Sequence, residues 1–187
     1  GGDAILAGDS ILTSPMKVKE KINVSPQETA VAPNLTVREN LSFICGIYGY
    51  HAKTAKKMAE KTIIDFGLTN IAKEKAGTLS GGWQRRLSIA MALISEPQIL
   101  FLDEPTLGLD VLARRELWRV IQGLKGKITI ILTTHYLEEA EALADRIGIM
   151  AKGRLTAVGT AAELLILAGK KNFEDAFLTL CGEGDTL

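Results

Sequence analysis

At 187 residues, with 47% hydrophobic and 24% charged residues, the chain is long enough to bury a core and short enough for a single globular domain. Its 22 basic and 22 acidic residues cancel, so the basic footprint of a protein that binds nucleic-acid backbone is missing and no nucleic-acid partner is expected. Cys45 and Cys181 have no companion Cys or His at metal-ligand spacing, which sets aside a disulfide framework and a zinc site and fits a reducing cytoplasm.

The first ten residues, GGDAILAGDS, carry neither a basic leader nor a small-residue cleavage site behind an apolar stretch, so they read as the middle of a domain and not as a signal peptide. Val24-Ser25-Pro26-Gln27 follows, where a glutamine after Ser-Pro is by itself an ordinary turn residue. From Thr36 to about Ile94 the pattern is helical, opening with Thr36-Val37-Arg38-Glu39, a capping box in which each end residue satisfies the other's free amide. Beyond Gln98, short apolar runs alternate with amphipathic stretches: strands Ile99–Leu102, Ile128–Leu132 and Ile147–Met150, helices Val111–Leu124 and Leu137–Ala144. That alternation predicts a parallel sheet, with the continuously apolar first two strands at its centre. Ala151-Lys152-Gly153 predicts a turn into an antiparallel return strand, Arg154–Val158, and a second capping box, Thr160 to Glu163, opens a C-terminal helix. The longest apolar runs stay far below the ~20 residues that span a bilayer, so no membrane crossing is expected.

Three stretches carry chemistry. In Leu79-Ser80-Gly81-Gly82-Trp83-Gln84-Arg85-Arg86, Ser80 is expected to cap a helix whose first turn is glycine. Such a helix start presents free amides and a positive dipole end to an anion, and glycines let a polyphosphate approach; alone, a Ser-Gly-Gly is as readily a plain loop. Ile99 to Pro105 is a buried strand ending in two carboxylates. Asp103 suits a hydrated magnesium ion, and Glu104, pointing the other way along extended backbone, suits a water aligned for in-line attack; solvated charges at a strand end are the plainer reading. His135 follows the strand Ile128–Leu132, where an imidazole can donate to a phosphate or steady a water, although a loop histidine is more often merely solvated. Asp110, at the start of Val111–Leu124, is a good N-cap whatever else it does.

LSGGWQRR, ILFLDEP, LGLD and TTH, in that order and spacing, resemble the ATP-binding cassette (ABC) ATPase family across essentially the whole chain. The resemblance implies an α/β fold: a P-loop NTPase-type parallel sheet core flanked by helices (residues 1–27 and 98–159), an inserted α-helical lobe (28–97) and a C-terminal helical tail (160–187). It makes Leu79–Gln84 the signature motif, with Ser80, Gly81, Gly82 and Gln84 toward nucleotide, and Asp110 the D-loop aspartate. Asp103 becomes the Walker B magnesium ligand, Glu104 the catalytic glutamate, His135 the switch histidine, and Gln27 the Q-loop residue that senses magnesium and water. ATP and Mg2+ are the implied cofactors. The implied partners are a second ABC subunit, in a homodimer, and a membrane permease on a separate chain, placing the protein at the cytoplasmic face of the cell membrane. NLTVRENLSFICGIYG and THYLEEAEALADRIGIM are similar to the drug-exporter type.

The sequence departs from the family in one place. Neither Gly126-Lys127 nor Gly169-Lys170 has the preceding glycine and following hydroxyl of a Walker A loop, G-x-x-x-x-G-K-[ST]. The expectation is that the first strand, P-loop and first helix are missing and that this chain alone is inactive. A shortened cassette that only binds a permease or partner subunit is one alternative. A soluble ABC ATPase without a transporter is another, disfavoured because the Gln27-to-Ser80 interval has no sustained heptads and only one cassette is seen.

Overall fold

β1 (Ile5–Leu6) pairs antiparallel with β2 (Asp9–Ser10) across Ala7-Gly8, both at positive φ (47° and 85°), the twist a two-residue hairpin turn requires. The computed structural model describes residues 2–182, so Gly1 and the last part of the expected tail, 183–187, lie outside the described residues. α1 (Pro15–Lys21), which the periodicity did not mark, begins with proline in its first turn, where a missing N–H costs nothing. Its last residue, Lys21, donates to Asp9 at 2.5 Å and ties helix to hairpin.

β3 (Ile22–Ser25) leaves α1 directly, and the chain then builds α2 (Val37–Ile47), α3 (Ala52–Asp65), two short 3-10 turns and α4 (Gly81–Leu93). The capping box at Thr36 is formed: its hydroxyl accepts from the Glu39 amide while Glu39 accepts from the Thr36 amide. α2 packs on α3, and α4 is buried over most of its circumference (Leu87, Ile89, Ala90, Met91, Ala92), as a central helix must be. β4 (Ile99–Asp103), α5 (Val111–Gln122) and β5 (Thr129–Thr133) follow. The sheet is parallel in the order β3-β4-β5, aligning Ser25 with Leu102 and Asp103 with Thr133. Leu100 and Leu102 are fully buried, each contributing about 1.5–3 kcal/mol of burial.

β4 is flanked on both sides, and β5 has a single strand neighbour among the described residues, with Thr129, Ile131 and Thr133 exposed. One sequence expectation is corrected here. The run Ile147–Met150 does not extend the parallel sheet. It forms β6 (Ile147–Ala151), which pairs antiparallel with β7 (Arg154–Gly159). An apolar run tells that a strand is buried but not which neighbour or direction it takes.

Chain contacts divide the described residues into two compact units, one ending at Thr133 and one starting at Thr134. The second contains α6 (Leu137–Leu143), the β6-β7 hairpin, α7 (Ala161–Ala168) and α8 (Phe173–Cys181). Its core is Ile147, Ile149, Ala157, Leu164 and Phe173. The hairpin turns through Lys152 and Gly153 at φ 50° and 75°, and the capping box at Thr160 and Glu163 starts α7 as expected.

Candidate functional site

Parallel register brings the carboxyl ends of β3, β4 and β5 to one edge of the first unit, the side on which open α/β sheets bind ligands. Asp103 is the last residue of β4 and is exposed; one carboxylate oxygen accepts from the Thr133 hydroxyl at 2.5 Å. Glu104 is not extended, contrary to the alternation read from sequence. Its φ is 45°, a left-handed conformation costing a non-glycine residue about 1–2 kcal/mol, and its amide donates to the Thr133 carbonyl at 3.0 Å. Thr133 therefore fixes both acidic residues, one through its side chain and one through its backbone. The chain folds back at once, the Leu107 amide donating to the Glu104 carbonyl.

At the start of α4, Ser80 holds the N-cap position, but its hydroxyl makes no capping hydrogen bond, which corrects the expectation that it caps the helix. The two glycines differ. A Cβ on Gly81 would meet only Leu109 Cδ2 at 3.8 Å, whereas one on Gly82 would sit 2.9 Å from Ala113 Cβ. Gly82 thus permits the close approach of α4 to α5, and Gly81 leaves the helix start uncovered. The Gln84 side-chain amide is spent on the Leu79 carbonyl at 3.0 Å. Arg86 lies 4.5 Å over the Trp83 ring and pairs with Glu116 of α5 at 2.9 Å, a second tie between these helices. Asp110 caps α5, accepting from the Leu112 and Ala113 amides at 2.9 Å each.

Gln27 follows the end of β3 by two residues, which places it at the same sheet edge as Asp103. Its side chain is exposed, and its backbone carbonyl accepts from Arg85 of α4. Arg85 also donates to the Pro26 carbonyl at 2.5 Å. Burial pulls the Arg85 pKa down while the charge of Asp103 pushes it up. His135 belongs to the second unit, exposed, two residues beyond the end of β5, with its ring 4.2 Å from that of Tyr136.

The first unit therefore gathers Gln27, Asp103 and Glu104 at one edge, and sets Ser80 and Gly81 on a helix start braced by α5. Two residues of this arrangement had no role assigned from sequence. Thr133 is signalled only by register, which requires knowing that β5 lies beside β4. Arg85 carries a weak signal: it falls on the α4 face of Gly81, Ser88 and Ala92, a small-residue stripe on which a long cation is out of place.

A parallel sheet with an acidic pair at its carboxyl edge and a glycine-led helix start is the architecture of a P-loop NTPase-class domain. Residues 2–107 match the sequence profile of the ABC transporter family. The chain is 47% identical over 166 residues to ABC transporter A family member 11 of Arabidopsis thaliana, covering 88% of this chain and 17% of that protein. It is 42% identical to the linearmycin resistance ATP-binding protein LnrL of Bacillus subtilis, covering 87% of this chain and 53% of that protein. With the doxorubicin resistance ATP-binding protein DrrA of Mycobacterium tuberculosis it shares 41% identity, over 90% of this chain and 51% of that one. A solved structure of the ATP binding subunit of an ABC transporter superposes with a TM-score of 0.76 at 25% identity, covering 94% of this chain and 74% of the other. The chain belongs to the ABC transporter family and is part of its ATP-binding domain. It spans about half the length of the bacterial relatives and a smaller share of the plant one.

Proposed function

We propose that the whole protein hydrolyses ATP between two such subunits and uses the cycle to drive a membrane permease that exports amphipathic compounds. The observation that supports this best is the left-handed Glu104 beside Asp103, both held by Thr133: strain at a carboxylate on the ligand-binding edge of a sheet is characteristic of a reacting group. Among the described residues no cluster of three or more His, Cys, Asp or Glu forms a metal cage, and none is needed. One Asp103 oxygen is engaged by Thr133, so the other suits a magnesium ion that keeps most of its ligands as water and phosphate oxygens. Bound magnesium supplies charge neutralisation at the phosphates. Asp103 and Gln27 would hold it and Glu104 would take the proton of the attacking water; His135 keeps the γ-phosphate role that its place in the family's motif series implies.

Ser80 and Gly81 face the nucleotide of the second subunit. An uncapped helix start suits an anion, and Val111 and Leu112, 60% and 74% exposed at the head of α5, offer apolar surface for the subunit contact. Gln84 and Gly82 contribute by bracing this start; Asp110 shapes it as the cap of α5. The permease docks on exposed Phe43 and Ile47 of α2 and on Tyr48 at its C-cap, in the lobe spanning residues 28–97. Among the described residues no helix is long and apolar enough to cross a membrane. The permease holds the protein at the cytoplasmic face. Resistance to linearmycin and doxorubicin in the relatives' names supports export.

The test is Glu104→Gln in the whole protein. Magnesium-dependent hydrolysis should fall at least ~100-fold while ATP binding is retained; hydrolysis at the parental rate would remove Glu104 from this role. Residues 1–187 contain no Walker A sequence, and purified by themselves they should show no turnover above background. Turnover by that stretch, lost on Glu104→Gln, would overturn the need for a phosphate cradle.

A further inference from the structure

We infer that Arg85 is a positioning residue for Gln27: from within α4 its guanidinium grips the two backbone carbonyls of Pro26 and Gln27, and so sets where the Gln27 amide stands beside Asp103. The inference rests on the proposed ATPase reading of Gln27 and Asp103.

Arg85 is 5% exposed, and a buried guanidinium is costly unless its donors are met. Here they are met by loop backbone: Nη1 donates to the Pro26 carbonyl at 2.5 Å and Nη2 to the Gln27 carbonyl. One turn along the same face, the Ser88 hydroxyl lies 3.3 Å from that of Ser25, both buried, so α4 also holds the last residue of β3. Because Ser25 aligns with Leu102, the loop leaving β3 begins beside the carboxyl end of β4, where Asp103 stands. Burial lowers the Arg85 pKa, and the charge of Asp103 opposes that shift.

A second clamp bounds the loop downstream. Asn40, fully buried in α2, accepts from the Ala32 amide and donates to the Ala32, Leu35 and Thr36 carbonyls. Between the clamps lie Glu28, Thr29, Ala30 and Val31, so the orientation of Gln27 is set mainly by the Arg85 end. An apolar side chain would fill the same volume without desolvating a charge, and a lysine is a point charge without a planar fork. Only arginine presents two parallel N–H groups to adjacent carbonyls.

Steady-state ATPase assays on the whole protein, with Gln27→Ala, Arg85→Met, Arg85→Lys and the Gln27→Ala/Arg85→Met double variant, decide the matter. Arg85→Met should lower kcat roughly 10- to 100-fold, the effect of misplacing a positioning group, with KM for ATP changed less than about threefold. Gln27→Ala should lose a similar factor, and the double variant no more than the worse single one, because without the Gln27 amide Arg85 has nothing left to position. Arg85→Lys should recover part of the loss. In nucleotide-free protein, hydrogen exchange at Gln27 to Val31 should quicken about tenfold in Arg85→Met while Leu87 to Ala92 keep their protection. Losses that multiply in the double variant, or a Gln27→Ala protein at the parental rate, would overturn the inference. Exchange quickening equally along α4 would reduce Arg85 to a packing residue. If Arg85→Met does not fold, Arg85→Lys carries both readouts. Glu104→Gln assayed alongside separates the failures: full activity there sinks the ATPase reading, and loss there with multiplicative Arg85 and Gln27 effects sinks only the clamp.

Discussion

α2 and α4 both begin at a hydroxyl residue in extended conformation, Thr36 and Ser80, yet their first turns are opposites. At α2 the hydroxyl and the Glu39 carboxylate close the helix start on itself, and Asn40 ties down the preceding loop. At α4 the hydroxyl makes no cap bond, the first turn has no acidic residue, and the next two positions are glycine. A closed start is finished structure. An open start keeps its amides and its dipole for something else, and the protein supplies rigidity there from outside, through Ala113 against Gly82 and Glu116 on Arg86.

Ser80→Asp is the strongest challenge to this contrast. Aspartate caps as well as serine, so the melting temperature should stay within a few degrees; against a partner's γ-phosphate, like charges ~4 Å apart at an effective dielectric near 20 repel by about 4 kcal/mol. In a Glu104→Gln background with ATP, size-exclusion chromatography should then show loss of dimer, and normal dimer would mean this helix start does not meet the phosphate. The glycines sharpen the point. Gly82→Ala should destabilise by about 1–3 kcal/mol through its clash with Ala113, while Gly81→Ala leaves the melt unchanged or raised and weakens ATP-driven dimerisation. Equal melting curves for the two would erase the distinction. Thr36→Ala should cost about 1 kcal/mol in a denaturant titration and leave nucleotide binding unaltered. The smallest effect is in pH. Hydrogen bonding from Thr36 holds the Glu39 pKa below its ordinary value, so this contribution is present above the usual carboxylate range and is lost as pH falls through the folded value. The melting difference between parent and Glu39→Gln should vanish in acid, and persistence at low pH would show that the carboxylate charge is not the source.

What the sequence made legible were the features with local rules. Both capping boxes, the Asp110 cap, β4 and the β6-β7 turn follow from residue types at fixed offsets. That β6 stays out of the β3-β4-β5 sheet depends on neighbours distant in sequence, which apolarity alone does not encode. The same division runs through the site. Asp103, Glu104, Ser80 and Gly81 were visible as motif residues, but the left-handed turn at Glu104 needs the Thr133 carbonyl from another strand, and the missing Ser80 cap bond is a matter of hydroxyl orientation. The place of Arg85 was not legible because the periodicity of α4, buried nearly all round, does not tell which side is wet.

If Glu104 takes the proton of the attacking water as proposed, its positive φ sets thermodynamic stability against chemistry at one codon. Glycine would adopt that conformation without the Cβ penalty, and asparagine adopts it more readily than most residues, but neither carries a carboxylate. With that role, a lineage selected for turnover would retain the strain because the carboxylate is needed. Under the proposed role of Glu104, a lineage freed from selection for turnover would find the mutations that relieve this strain favoured by folding alone.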